Sequence, residues 1–238
     1  HLHLTPPDSL VWKRCTALSA YLKRHPKETK EYAKIKREGA KIARGEGKIY
    51  RDYKNNFLDR LTKKEVYESF LINFAVNTTS IEGNTITLKE AYELFKENIA
   101  PKKKTLREVY DLLNTKKVLD FLERENPQIT INLIEKIYDL LLENIDKRKG
   151  FRMHEIRIFG QPFKPSPARY VKADIGLLLK WYSDNKNKIH PLTLAALFHH
   201  KFEKIHPFSD GNGRTGRVLM NHILTLLGYP PFIISRRF

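Results

Sequence analysis

The sequence predicts an all-α protein, a bundle of amphipathic helices carrying one small β-hairpin flap. Three observations predict it. Apolar residues recur at spacings of three and four through most of the chain, the period of a helix with one buried face. The alternation of polar and apolar residues that marks a half-buried strand is confined to one short stretch. Proline and glycine fall at the ends of the apolar stripes, where they start or stop helices.

The elements follow in order. Residues 32–53 are rich in Lys and Arg and are interrupted by Gly39, Gly45 and Gly47, which reads as a broken basic helix. Helical stripes follow at 64–80, 88–99, 112–123 and 132–145. The stretch 152–163 differs: Ile156, Arg157 and Ile158 alternate before a Gly160-Gln161 turn, and Pro162, Pro165 and Pro167 follow. That pattern predicts a hairpin or flap. In 168–184, Val171, Ile175, Leu178 and Tyr182 lie on one helical face. Pro191 opens the next helix at a position where its missing N–H does no harm; the stripe there is Leu194, Phe198, Phe202 and Ile205. After a glycine-rich turn, Leu219, Ile223 and Leu226 form the last stripe. Gly228-Tyr229-Pro230-Pro231 stops it.

Composition bounds the function. The 238 residues suffice for one substantial domain, or one domain with an appendage. Hydrophobic residues at 41% and charged residues at 30% exclude wholesale disorder. Cys15 is the single cysteine, which excludes an internal disulfide and a multi-cysteine zinc cage and suits a reducing, cytoplasmic setting. No apolar run approaches the roughly 18 residues of a membrane span, and no signal peptide is visible. A first residue of His1 reads as a cut or processed start. The net charge is +17, of which +10 falls in residues 1–64. Such a basic quarter could attract nucleic acid or other polyanions; a solvated, lysine-rich helical surface is the preferred reading. The change in composition near Leu61 divides the chain into a basic helical extension, 1–60, and a main domain, 61–238.

The chemistry concentrates in His206-Pro207-Phe208-Ser209-Asp210-Gly211-Asn212-Gly213-Arg214-Thr215-Gly216-Arg217. Gly211 and Gly213 allow close backbone approach to a ligand. The following helix starts near Asn212, and its free N–H groups make an anion site. Arg214 and Arg217, three apart, project from the same side of the first helical turn and suit a polyphosphate. Asp210 is the one carboxylate of the turn, a holder for Mg²⁺ beside phosphate oxygens. His206 titrates near neutrality and can take a proton from a hydroxyl. Together these groups describe transfer of a nucleotide's phosphorus to a hydroxyl. Taken singly each has a bland reading: His206-Pro207 as a helix stop, Phe208 as a core anchor. The GxGxxG match at 211–216 lacks the preceding strand that a dinucleotide fingerprint requires. A metal cage of His199, His200, His206 and Asp210 is a rival, weakened because adjacent histidines on a helix point about 100° apart.

This run resembles the signature His-Pro-Phe-x-[Asp/Glu]-Gly-Asn-Gly-Arg-x-x-Arg of the Fic family at every fixed position, and 61–238 is similar to a whole Fic core. The resemblance implies an all-α Fic-fold helical bundle with a small β flap, and transfer of AMP from ATP to a Ser, Thr or Tyr hydroxyl of a target protein. It implies that His206 is the base and that Asp210 holds Mg²⁺. It assigns the run Asp210, Gly211, Asn212, Gly213, Arg214, Thr215, Gly216 and Arg217 to the nucleotide. Within that run the backbone of 211–213 and the Asn212 side chain cradle phosphates, Arg214 meets the β-phosphate and Arg217 the γ-phosphate. The flap, Ile158, Phe159, Gly160 and Gln161, pairs with the target segment as an added strand. Self-modification and a homodimer are further expectations on partners.

Thr78-Thr79-Ser80-Ile81-Glu82-Gly83-Asn84 resembles the family's inhibitory motif, [Ser/Thr]-x-x-x-Glu-[Gly/Asn]. Glu82 falls in the last turn of a helix that ends at Gly83, at the negative end of the helix dipole, so it should seek a cation. In the family that cation is the second motif arginine, here Arg217. A solvated Glu at a frayed helix end is the plain alternative. Residues 1–60 resemble the C-terminal end of GrpB-like proteins through Leu22-Lys23-Arg24-His25-Pro26, Glu31-Tyr32-Ala33-Lys34-Ile35-Lys36 and Tyr53-Lys54, without that family's catalytic part. The reading is therefore a protein adenylyltransferase restrained by Glu82. Removal of AMP, transfer of another phosphate group, and a basic nucleic-acid-binding regulator with a vestigial nucleotide site stand as alternatives.

Overall fold

The computed structural model describes residues 22–23, 25–158 and 163–235. The described residues are all-α, with no strand among them. The chain divides into two compact units, His1–Glu68 and Ser69–Phe238. No described helix is long and apolar enough to cross a membrane.

In the first unit, α1 spans Pro26–Ala43, with Pro26 in its first turn, and ends where Arg44 adopts a left-handed conformation. Helix α2 spans Gly47–Ile81, so it runs through 61–64 and contributes residues to both units. The expected break in the basic stretch occurs once, at Arg44 and Gly45, which has φ 96°. Gly39 lies inside α1. A Cβ there would sit 3.0 Å from the Tyr53 ring, so this glycine serves close packing. Tyr32 stacks on Phe57 at 5.3 Å within the same unit.

In the second unit, α3 (Leu88–Tyr92) begins with a capping box between Thr87 and Glu90 and passes into a π-helical turn, Glu93–Glu97. Helix α4 (Leu106–Glu125) carries the same device between Thr105 and Glu108, which satisfies two orphan N–H groups reciprocally. Helix α5 spans Ile131–Leu141, capped by Thr130. A 3₁₀ turn, Ala168–Tyr170, leads into α6, Val171–Asn185. Helix α7 is Pro191–Ile205 and α8 is Asn212–Leu226. Gly228, at φ 76°, ends the last helix, and the Tyr229 N–H returns to the Leu224 carbonyl. Of the expected hairpin, Ile156 to Ile158 carry no strand; Phe159, Gly160, Gln161 and Pro162 lie outside the described residues.

The core of this unit forms around α8, which is buried from Asn212 and Arg214 through Leu224. A helix buried on all sides is central, and α7 and α5 both pack against it. Phe198 and Phe202 from α7, Ile134 and Ile137 from α5, and Val218 and Leu219 from α8 are fully buried. Phe208, in the turn between α7 and α8, is fully buried too. It stacks on Tyr138 with centroids 3.9 Å apart and an interplanar angle of 1°. Phe151 lies 5.4 Å away on another side. This ring anchors the turn that carries the chemistry.

Phe208→Ala should therefore lower stability by about 3–5 kcal/mol, whereas Phe208→Leu, nearer in volume, should cost less than about 1.5 kcal/mol. Urea unfolding with an unchanged slope measures both. Equal losses for the two variants would contradict this packing account.

Candidate active site

The turn between α7 and α8 is set by local conformation. His206 caps the C-terminus of α7 in a left-handed conformation, φ 51° and ψ 64°. Histidine enters that region at a modest cost, about 1–2 kcal/mol. Gly211 precedes α8 at φ 71°, and a Cβ there would lie 2.7 Å from Leu142 Cδ2, so no larger residue fits. No side chain caps α8. Its first N–H groups remain the open, positively polarised end of a buried helix.

His206 Nδ1 lies 3.3 Å from the Glu203 carbonyl oxygen. That contact assigns the ring proton of the neutral imidazole to Nδ1 and leaves Nε2 as the basic nitrogen. Burial, opposed in part by the Glu203 carbonyl, lowers the His206 pKa. The Glu203 carboxylate stands 3.8 Å from His206 Nδ1 and 3.9 Å from His199 Nδ1. Burial pushes Glu203 up to about 7 and His199 down to about 4.

The two motif arginines take separate partners. Arg214, almost fully buried, pairs with Asp111 on α4 and lies 3.7 Å from Asp210. Asp210 also pairs with Arg107 on α4 and accepts the Gly211 N–H at 2.6 Å. Burial works against its charge, but Arg107, Arg214 and that N–H outweigh it and hold the Asp210 pKa below the usual carboxylate range. Asp111 shows the reverse balance: burial exceeds the attraction of Arg214 and Arg107 and raises its pKa.

Arg217, 6% exposed, donates from Nε to the Thr78 hydroxyl at 2.8 Å and from Nη2 to the Thr78 carbonyl at 2.9 Å. Nη2 also reaches Glu82 Oε1 at 2.6 Å. Glu82 is delivered by the end of α2, which closes through Gly83 at φ 96° and an Asn84 N–H bond to the Thr79 carbonyl at 3.1 Å. Asn84 then ties this end to α4 through the Glu108 carbonyl at 2.9 Å. Gly213 makes room for the pair. A Cβ at that position would lie 2.4 Å from Glu82 Oε1 and 2.9 Å from Arg217 Nη1.

Three residues of the predicted nucleotide run stand elsewhere. The Asn212 side chain, expected against phosphate, accepts the Phe208 N–H and donates to the Phe208 carbonyl, both at 2.8 Å, so it staples the turn. Thr215 is fully buried. Gly216 lies against α7, where a Cβ would meet His199 Nδ1 at 2.6 Å and Glu203 Oε1 at 2.8 Å. Gly216 therefore serves the packing of α8 on α7. The rival cage of histidines is not assembled: His199 faces Gly216 and Glu203, and among the described residues no cluster of three His, Cys, Asp or Glu could hold a metal. Of the flap residues, Ile158 alone is described, and it is half-buried.

Arg107, Asp111 and Arg152 were not legible in the sequence. The first two reach the motif from 103 residues away. The one local hint is the Thr105-x-x-Glu108 capping box, which fixes the start of the helix bearing them.

Known proteins resemble this chain in sequence and in fold. The model of the Fic/DOC family matches residues 128–224, and that of the GrpB protein family matches residues 1–64. The "Protein adenylyltransferase Fic" of Drosophila ananassae is 33% identical over 188 residues, covering 75% of this chain and 36% of that protein. Its Drosophila melanogaster counterpart is 32% identical over 195 residues, covering 78% and 38%. The chain thus spans little more than a third of the length of these relatives. A Fic domain-containing signaling protein from Bacteroides thetaiotaomicron superposes with a TM-score of 0.65 at 26% identity, over 72% of this chain and 69% of that one. Fic-1 from C. elegans shares the fold at a TM-score of 0.62 and 24% identity, over 97% and 66%. The chain carries, across residues 128–224, a domain of the Fic/DOC family.

Proposed function

We propose that this domain transfers AMP from Mg²⁺–ATP to a Ser, Thr or Tyr hydroxyl of a protein, and that Glu82 restrains it. One observation carries the reading: two buried arginines, Arg214 and Arg217, lie in the first turns of α8, whose N-terminus no side chain caps, and His206 and Asp210 belong to the turn that leads into it. The relatives named as adenylyltransferases support it.

In this reading the polyphosphate lies over the first turn of α8, where N–H groups, Arg214 and Arg217 offset its charge. Asp210 would hold Mg²⁺ accompanying the nucleotide, and the ion would supply positive charge to the phosphates. His206 accepts the hydroxyl proton at Nε2 as the hydroxyl oxygen attacks the α-phosphorus. The new O–P bond forms while the bond to the β-phosphate oxygen breaks, and pyrophosphate leaves with its electron pair. Docking of the target segment near Ile158, Phe159, Gly160 and Gln161 belongs to the same reading. Glu82 occupies Arg217, which withdraws a ligand from the γ-phosphate. Self-modification and pairing of two copies belong to the same reading. We read residues 1–60 as a GrpB-like remnant and assign them no activity.

With labelled ATP and Mg²⁺, His206→Ala should abolish AMP transfer. Glu82→Gly should raise it about 5- to 150-fold, the scale of a coupling of about 1–3 kcal/mol. Equal labelling by wild type and the Glu82 variant would sink the restraint. The pH profile follows from the sign of the His206 shift. Its pKa lies below the ordinary 6.5, so the imidazole stays neutral, and able to accept a proton, to a lower pH than a free histidine. The acid limb of the Glu82→Gly rate should have its midpoint below pH 6.5. A midpoint clearly above it would contradict the assignment of His206 as the base.

A further inference from the structure

Arg152 stands outside the signature and outside the reaction as described, yet it is 3% exposed and touches the same turn. Its Nε donates to the His206 carbonyl at 2.8 Å. Its Nη2 reaches the Ile205 carbonyl at 3.3 Å and also bonds the Ser166 carbonyl. Its Nη1 donates to the His154 carbonyl at 2.9 Å. The Arg152 N–H donates to the Pro207 carbonyl at 2.9 Å. One residue therefore holds three consecutive carbonyls, Ile205, His206 and Pro207, and joins them to His154 and Ser166 in the connection between α5 and α6.

We propose that Arg152 is a positioning residue for His206: its planar guanidinium locks the left-handed turn that aims the imidazole and fixes that turn to the α5–α6 connection. The inference rests on the reading of His206 as the base of AMP transfer. A residue in a sparsely populated backbone region persists when its surroundings over-determine it, and four side-chain bonds plus one backbone bond do so here. Only a guanidinium offers donors in a fixed fork that spans carbonyls on several sides; a lysine ammonium is a point donor on a flexible stem.

The charge of Arg152 adds a second effect. All four side-chain bonds go to carbonyls, so its positive charge is shared with dipoles. It bears on the imidazole and disfavours the imidazolium. The other charged groups that bear on His206 are Glu203 on its own helix, Glu82 after α2 and Asp210 from the loop. Arg152 thus helps to keep the base unprotonated as well as aimed.

Two measurements test this. The first follows the His206 imidazole by NMR across pH in the full chain, without nucleotide. Removing the cation in Arg152→Gln should raise the His206 pKa by about half a unit or more, while Arg152→Lys, which keeps the charge, should shift it less. The second measures AMP transfer at pH 8, where His206 is neutral in every variant, in the Glu82→Gly background. There Arg152→Lys should lower kcat about tenfold and leave the KM for ATP unchanged, because the charge is kept and the fork is lost. An unchanged His206 titration in Arg152→Gln overturns the electrostatic effect. An unchanged kcat in Arg152→Lys overturns the positioning role, and so does a fall in ATP affinity equal to the fall in rate. Should Arg152→Gln fail to fold, Arg152→Lys carries both measurements, and identical titration and kcat then overturn the proposal. If Glu82→Gly alone transfers no AMP, the reading of the reaction fails, and the titration still decides whether Arg152 governs His206.

Discussion

The central constraint on this molecule is that α8, a helix buried over nearly its whole length, begins with two arginines that are also buried. A buried cation without acceptors costs several kcal/mol, so the rest of the domain must bring acceptors to this one end. Helix α4 brings Asp111 and the end of α2 brings Thr78 and Glu82. The capping box at Thr105 and Glu108 and the Asn84 bond to α4 fix where those elements start and stop. The architecture of the second unit follows from meeting that demand while leaving the first N–H groups of α8 uncapped.

The two arginines differ in how firmly they are held. Arg214 is enclosed with Asp111 and stands near Asp210, whose own charge is held by Arg107. Arg217 is enclosed on the Thr78 side, while the Glu82 carboxylate that completes its partners is 40% exposed. An exposed acceptor on a buried donor is the contact that solvent or a competing anion reaches first. Gly213 leaves room for this pair, since a Cβ there would lie 2.4 Å from Glu82 Oε1 and would force the carboxylate to shift. In the proposed reading the glycine that would admit phosphate is also the glycine that admits the Glu82 carboxylate.

Much of the helical framework was legible because punctuation is local. Pro191 starts α7 and Gly228 stops α8 where the sequence places them. Other boundaries moved for physical reasons. Helix α4 starts at Leu106 rather than near 112, because the capping box at Thr105 extends it. The stripe at 132–145 yields a helix only to Leu141, since Asn144 turns left-handed at φ 62°. The stripe at 88–99 divides into an α and a π turn, a distinction that apolar spacing does not encode. The motif from His206 to Arg217 announced its chemical groups because they are contiguous. It did not announce that Asn212 staples the turn, which depends on the turn's backbone conformation, or that Gly216 faces His199, which depends on which side of α8 meets α7. Arg107, Asp111 and Arg152 act across 54 to 103 residues, and no pattern in a single sequence joins positions so far apart.

The central claim is that the open end of α8 receives a polyphosphate in competition with Glu82, and nucleotide calorimetry tests it most directly. Affinities for ADP and ATP, each with Mg²⁺, are compared in the wild type and in Glu82→Gln. With Arg217 occupied, the third phosphate has nothing to gain, so the wild type should bind the two alike. Freeing Arg217 adds one charge-assisted contact, about 1.5 kcal/mol or roughly tenfold in favour of ATP. The same ATP preference in both proteins, or no nucleotide binding by either, would contradict the account.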